Sequence, residues 1–397
     1  MAGINPAVDR SAVGKPIEDL DTPALCLDLD LFEGNLKRMA DFFRGRPAQL
    51  RPHFKNNKCS QIACRQLAAG SIVGMTCAKL GEAEVLSAAG CTDILIANQI
   101  VGPAKIARLI DLARRTPTLR VAVDDPANIT AIAESAARAG VTVGLLVEVD
   151  IGMNRCGVQP GKPALALARQ IAKFKGVRFD GLQAYEGHLV AVADRDERGR
   201  KVRQDMAKAI ETKQLIEADG IAVAIVSGGS TSTYDVAGTI DGVTEVQAGT
   251  YPTMDHMYVK LAPEFDIALS IVSRVISRPK AGLAVLDVGL KGAGHEFGPP
   301  KVKGMLGREK GVRPVLPERP EGCCAQNGSD PFFTQMSVHL SEEHCTIQRS
   351  PEWKVGQAVE LVPSHSCTTC NLYRLIHVHQ QGRIVDVWPI EASGRLA

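Results

Sequence analysis

The chain of 397 residues has almost no excess charge: 46 Lys and Arg stand against 44 Asp and Glu, a formal net charge of +2. With neither a basic tail nor a concentrated Lys/Arg patch, nothing recommends a nucleic acid as partner. Also absent is any apolar run of the roughly 18 to 20 residues needed to cross a bilayer, and residues 1–13 contain no apolar signal core. These absences predict a cytoplasmic protein with no membrane partner. Internal repeats and low-complexity tracts are missing. So is the GxxxxGK[ST] loop, which speaks against a nucleoside triphosphate. The eleven cysteines do not form a disulfide scaffold in a chain this long. Cys26, Cys64, Cys77 and Cys156 fall in apolar or helical patterns and read as reduced thiols acting as small hydrophobes. Cys323-Cys324 and the C-x-x-C of Cys367 to Cys370 stand apart, and no thioredoxin-like βαβ unit precedes the latter.

What is present is material for a substantial core, with 45% hydrophobic residues and a length that suggests two or three domains. Residues 1–19 read as a tail. From Ala24 onward, short apolar strands alternate with helices of 10 to 15 residues. Strands are expected at 71–76, 93–97, 119–123, 142–150, 179–185, 222–227 and 245–249. Helices are expected at 31–43, 79–89, 103–115, 125–139, 162–174 and 195–218. That alternation implies right-handed βαβ units and a parallel sheet. With Leu50-Arg51 counted as a strand, about eight strands lie between residues 24 and 250, and a closed (β/α)8 TIM-type barrel over 24–262 is preferred to an open sheet. After residue 262 the helical period fades. Strand-like runs at 267–278, 283–288, 335–340, 344–348, 358–362, 372–379 and 382–389 predict an antiparallel β domain, with residues 1–23 joined to it. Its segment 292–323, rich in Gly, Pro and Lys, reads as an irregular loop.

Candidate chemistry gathers at strand ends. Pro52 in Arg51-Pro52-His53-Phe54-Lys55-Asn56-Asn57-Lys58 turns a strand into a loop, which places Lys55 where α/β barrels carry their chemistry. A desolvated lysine amine can attack a carbonyl, and both Lys55 and Lys58 qualify at this point. Ser227-Gly228-Gly229-Ser230-Thr231-Ser232-Thr233 follows an apolar strand. Its paired glycines, backbone N–H groups and hydroxyls suit a phosphate, with a flexible turn as the alternative. Gln247-Ala248-Gly249-Thr250-Tyr251 ends the next strand, and the last two βα loops often form the phosphate site together. Arg155 lies just beyond a buried strand, where it can hold an anionic oxygen or pair with Glu148 or Asp150. Tyr185 and His188 end another strand. In the second domain, His365 and Cys367 lie two residues apart and, in an extended chain, face the same side. Two protein donors leave positions for water and substrate, and nitrogen plus thiolate favours zinc.

In combination and order, these motifs resemble the fold-type III pyridoxal-phosphate enzymes, in the branch of D-threonine aldolase and eukaryotic D-serine dehydratase. The likeness runs from Asp21-Thr22-Pro23-Ala24 to Val387-Trp388-Pro389-Ile390. It implies an alanine racemase-like barrel followed by a β domain, in a homodimer, with pyridoxal 5'-phosphate (PLP) held by Lys55 rather than Lys58. Lys55, His53, Arg155 and Tyr185 form the implied catalytic set, with Arg155 at the phenolic oxygen of the cofactor. Gly228, Gly229, Ser230, Thr231, Gly249, Thr250 and Tyr251 complete the implied cofactor site. His365 and Cys367 would bind a divalent metal, zinc or alternatively manganese or magnesium, that reaches the β-hydroxyl of a β-hydroxy-D-amino acid. Loss of the hydroxyl proton permits retro-aldol cleavage to glycine and an aldehyde. Loss of the Cα proton instead permits elimination to a keto acid and ammonia. The loops are closer to D-threonine aldolase, which makes retro-aldol cleavage the preferred expectation. The His365/Cys367 pair is similar to D-serine dehydratase, where the aldolase has His plus Asp. A racemase, with Tyr373 as its second acid/base, and a PLP carrier without activity share the fold and stand as further alternatives.

Overall fold

The computed structural model describes residues 8–305 and 336–397. Cys323-Cys324 and the latter part of the 292–323 segment lie outside the described residues. The chain divides into two compact units. One comprises Asn35–Pro252, Lys260–Pro263 and Gly394–Ala397, and the other Met1–Gly34, Thr253–Val259 and Glu264–Ser393.

Strand β1 (Ala24–Asp28) belongs to the second unit. The first unit holds β2 (Gln49–Leu50), β3 (Met75–Cys77), β4 (Asp93–Ile96), β5 (Thr118–Val123), β6 (Val143–Glu148), β7 (Val177–Ala184), β8 (Ile225–Gly228) and β9 (Glu245–Val246). These eight strands are all parallel, in the order β2-β9-β8-β7-β6-β5-β4-β3. Parallel bridges Leu50 to Ile72 and His53 to Thr76 close the ring. The expected helices form close to their expected bounds, and Ser60–Ala68 adds a helix outside those expectations. In the helix Pro126–Ala139, the Asp125 side chain accepts a hydrogen bond from the Asn128 N–H at 2.8 Å, and Gly140 closes the C-terminus in the left-handed region. Among the described residues no helix is long and apolar enough to cross a membrane.

The second unit is a nine-stranded sheet. After β1 come β10 (Leu269–Lys280), β11 (Leu283–Leu286), β12 (Lys301–Met305), β13 (Ser337–Leu340), β14 (Cys345–Gln348), β15 (Ala358–Val362), β16 (Leu375–Gln380) and β17 (Arg383–Pro389). It is antiparallel except where β1 runs parallel to β16. Three expectations change here. The strand at Ala24 lies in this sheet, because its backbone pairs with β10 and β16; apolar alternation announces a strand without naming its partner. Residues 8–20 pack into the structure: Ile17 and Leu20 are buried with Cys26, Val272 and Val387, and Pro16 bridges Arg383. Within the supposed irregular loop, Lys301–Met305 pairs with β15 as a strand. None of the nine described cysteines is in a disulfide, and six of them are buried.

The barrel interior carries a chain of charges. Arg51, 1% exposed, donates through Nε and Nη2 to the two carboxylate oxygens of Glu245 at 2.8 and 2.7 Å, and through Nη1 to Asp93. Arg120 joins Asp93 to Asp180, each at 2.7 Å. Burial disfavours the Arg51 cation, but Glu245 and Asp93 outweigh that and raise its pKa. Gly144 leaves room for the network, since a Cβ there would stand 2.5 Å from Asp180 Oδ2. Arg51→Met would strand the buried Glu245 carboxylate. Urea denaturation should show a loss of roughly 3–5 kcal/mol of stability, whereas a loss below about 1 kcal/mol would mean the network contributes little to the fold.

Candidate active site

The chain leaving β2 is held from both sides. The Arg51 N–H donates to the Val246 carbonyl and the His53 N–H to the Ala248 carbonyl, while the Thr76 N–H donates to the Pro52 carbonyl. A short 3-10 turn, Phe54–Asn56, follows, and the His53 ring at its start accepts from the Lys55 N–H at 3.4 Å through Nδ1. Lys55 is half-buried. Its Nζ lies 5.8 Å from the centre of the Tyr185 ring, and the Arg155 guanidinium lies 5.5 Å from the same ring. Among the described residues no carboxylate is ion-paired with Lys55 or with Arg155. The alternative partners of Arg155 are engaged elsewhere. Asp150 accepts from the Gly152 and Asn154 N–H groups, and Glu148 accepts from Gln99 at 2.6 Å.

Lys58 differs from Lys55 in its surroundings. Its Nζ lies 3.4 Å from the buried Glu82 carboxylate, and its backbone is left-handed at φ 55°. His53 is buried; desolvation, then the cations of Lys55 and Arg155, push its pKa well below the ordinary imidazole value. Its ring is therefore neutral. Because Nδ1 accepts a hydrogen bond, the proton sits on Nε2, which makes His53 a donor there. His188 is engaged by Asp205, with Nε2 2.9 Å from its carboxylate.

The Ser227–Thr233 segment and the Ala248–Tyr251 segment interlock. Thr231 Oγ1 accepts from the N–H groups of Thr250 and Tyr251 at 2.9 and 3.1 Å. Ser230 donates its N–H to Thr233 Oγ1 at 2.9 Å, and the two hydroxyls are 3.0 Å apart. Gly228 and Gly229 are buried; a Cβ on Gly228 would meet the Ala184 carbonyl at 2.0 Å, and Gly229 sits at φ +79°. A Cβ on Gly249 would meet His53 at 3.1 Å. Among the described residues the backbone N–H groups of Thr231, Ser232 and Gly249 have no protein acceptor. Three open amides beside glycines and hydroxyls form a cradle that an anion can fill. Tyr251 contributes to it through its backbone alone, because its ring is 1% exposed and its hydroxyl receives a hydrogen bond from Gln66.

The second unit brings together His365 and Cys367, by a route other than an extended chain. His365 is extended, but Cys367 lies in the first turn of the helix Ser366–Cys370. The Cys367 sulfur is within hydrogen-bonding reach of the imidazole. Asp255, absent from every motif read in the sequence, is 0% exposed and accepts from His365 Nδ1 at 2.9 Å and from the Ser366 N–H at 2.9 Å. The Tyr258 ring stacks on the imidazole at 5.8 Å. Glu296 Oε1 is 3.5 Å from Nε2. Burial disfavours the His365 cation, but Cys367 and Asp255 overcome this and raise its pKa to about 11. Tyr373 has a structural task, since its hydroxyl donates to the Gly292 carbonyl at 2.8 Å.

Residues 27–256 match the family model for the alanine racemase N-terminal domain, and residues 268–379 match that for the putative serine dehydratase domain. The D-threonine aldolase of Arthrobacter sp is 36% identical over 388 residues, covering 96% of this chain and 95% of its own length. The crystal structure of D-threonine aldolase from Filomicrobium marinum superposes with a TM-score of 0.87 at 34% identity, over 97% of this chain and 99% of that one. D-threo-3-hydroxyaspartate dehydratase from Delftia sp. HT23 superposes with a TM-score of 0.79 at 26% identity, over 94% and 98%. Two further dehydratase structures carry a cysteine-to-alanine change, in a metal-free form, and a histidine-to-alanine change. The two matched domains, in this order and over nearly the full length of the relatives, show that the chain belongs to the family of D-threonine aldolase, with an alanine racemase-type barrel and a serine dehydratase-type β domain.

Proposed function

We propose that this chain is a PLP-dependent lyase, acting as a homodimer, that cleaves the Cα–Cβ bond of β-hydroxy-D-amino acids to give glycine and an aldehyde. The observation that carries the cofactor reading is the Lys55 amine, half-buried, without a carboxylate partner and beside the Tyr185 ring. The open N–H groups of Thr231, Ser232 and Gly249 suit the phosphate. Full-length similarity to D-threonine aldolase favours cleavage of the carbon–carbon bond. When bound, PLP supplies the electron sink for the pair released from the breaking bond.

The protein's own groups do the rest. Lys55 would hold the aldehyde end of the cofactor, Arg155 would suit its phenolic oxygen, and Tyr185, near both cations, would lie beside it. His53, neutral and protonated at Nε2, offers a hydrogen bond without adding a charge. The His365 and Cys367 pair suits a divalent metal, zinc before manganese or magnesium. Asp255 holds the imidazole by Nδ1 and so directs Nε2 to a ligand, an outer-shell arrangement common to metal-binding histidines. Among the described residues no cluster of three or more His, Cys, Asp or Glu forms a metal site, so most positions on the ion would belong to water and substrate. Such an ion would supply Lewis acidity for the substrate hydroxyl.

The same pair favours a second reading. D-threo-3-hydroxyaspartate dehydratase has been solved with a cysteine changed and metal-free, and a His/Cys pair of that kind would draw the chemistry toward loss of the β-hydroxyl, giving a keto acid and ammonia. Tyr373, occupied by Gly292, lends no support to racemisation, and the β domain with its His365/Cys367 pair argues against a bare cofactor carrier.

Three outcomes are expected. Purified protein with PLP should absorb in the visible, and Lys55→Ala should lose that band; an unchanged spectrum would remove Lys55 from the site. D-threonine should yield glycine and acetaldehyde without ammonia, whereas ammonia with a keto acid would establish the dehydratase reading. Cys367→Ala should bind zinc at least about 10-fold more weakly in a titration monitored by calorimetry, with activity lost in chelator. Unaltered zinc affinity would exclude Cys367 as a ligand.

A further inference from the structure

Glu186 follows Tyr185 at the end of β7 and is 0% exposed. Both of its carboxylate oxygens are taken by the loop after β8. Thr233 Oγ1 donates to Oε1 at 2.6 Å, and the Gly229 N–H donates to Oε2 at 3.0 Å. Thr233 Oγ1 in turn accepts the Ser230 N–H. Through two residues, then, one buried carboxylate fixes the backbone from Gly229 to Thr233. Burial pushes the Glu186 pKa up, against hydrogen bonds from Thr233 and Gly229 that favour the anion. An acid buried beneath an anion cradle works against anion binding by its charge, so its contribution must be geometric. It occupies the Gly229 amide and Thr233 hydroxyl and leaves Thr231, Ser232 and Gly249 as the open donors. Gly229 then gives the cradle space and curvature, with its N–H spent on Glu186.

We propose that Glu186 is the positioning residue of the phosphate cradle: it sets the Gly229–Thr233 backbone so that the Thr231 and Ser232 amides are ready for the cofactor phosphate. The proposal rests on the PLP reading above. Its test compares PLP with pyridoxal, which has the same ring and aldehyde but no phosphate, in titrations of cofactor-depleted protein followed by absorbance. In Glu186→Gln an amide NH2 or a weaker carbonyl acceptor replaces one oxygen. The PLP dissociation constant should rise about 10- to 100-fold, the loss of a hydrogen bond to a buried charged group. Pyridoxal affinity should change less than about 2-fold, since its contacts are elsewhere. Glu186→Asp, which keeps the charge and withdraws it by one methylene, should show the same phosphate-selective loss and serves if the glutamine variant fails to fold. Equal losses for both ligands, or unchanged PLP affinity, would overturn the role of Glu186 while leaving the cofactor reading intact. A wild-type protein that takes up neither ligand would overturn the cofactor reading and this proposal together.

Discussion

The geometry of the barrel depends on how Arg51 is neutralised. Its guanidinium is almost wholly removed from water and is met by Glu245 on β9 and Asp93 on β4, with Arg120 and Asp180 extending the chain of charges. Removing one member of such a network leaves an uncompensated buried charge, so its parts hold one another in register. The two-residue strand β2 has little pairing of its own. The ion pairs across the interior, together with the backbone bonds to Val246 and Ser71, keep it between its neighbours. Four residues later comes Lys55, on a turn whose start is pinned at Pro52 and His53. The charged interior and these backbone bonds thus hold the segment that carries Lys55.

The mouth of the barrel shows a related economy of charge. Arg155 and Lys55 lie near one aromatic ring with no carboxylate partner among the described residues, whereas the acids close by are used for structure: Asp150 caps a turn, Glu148 takes an amide and Glu186 holds a loop. Cationic and amide donors are left for a ligand that carries negative charge. In the β-rich unit, Asp255 plays a comparable supporting part, holding the His365 ring by Nδ1 while Nε2 faces Glu296 at 3.5 Å.

Much of this was legible in the sequence because periodicity and turn chemistry are local. The βα alternation, the glycine pairs and the Pro52 turn each announce themselves within about ten residues, the range over which such patterns are read. What escaped depends on distant partners. Nothing around Ala24 reveals that its strand joins β10 and β16, which follow hundreds of residues later. Lys55 and Lys58 look alike as residues, and only the family resemblance sets them apart in the sequence; the structure adds Glu82 beside Lys58. Asp255 supports His365 across 110 positions, with no motif around either residue to connect them. Glu186 stands between Tyr185 and His188, both singled out in the sequence, but its role emerges only with the loop that it holds. Arg51 reads in the sequence as the start of the turn that carries Lys55, yet its charge is spent inside the barrel.

In the proposed function Lys55, and no other amine, carries the cofactor. Reducing the PLP-loaded protein with borohydride and mapping its peptides by mass spectrometry tests this most directly, because reduction fixes the cofactor to the nitrogen that holds it. A phosphopyridoxyl group is expected on Lys55. The same mass on Lys58, or no modified lysine, would contradict it.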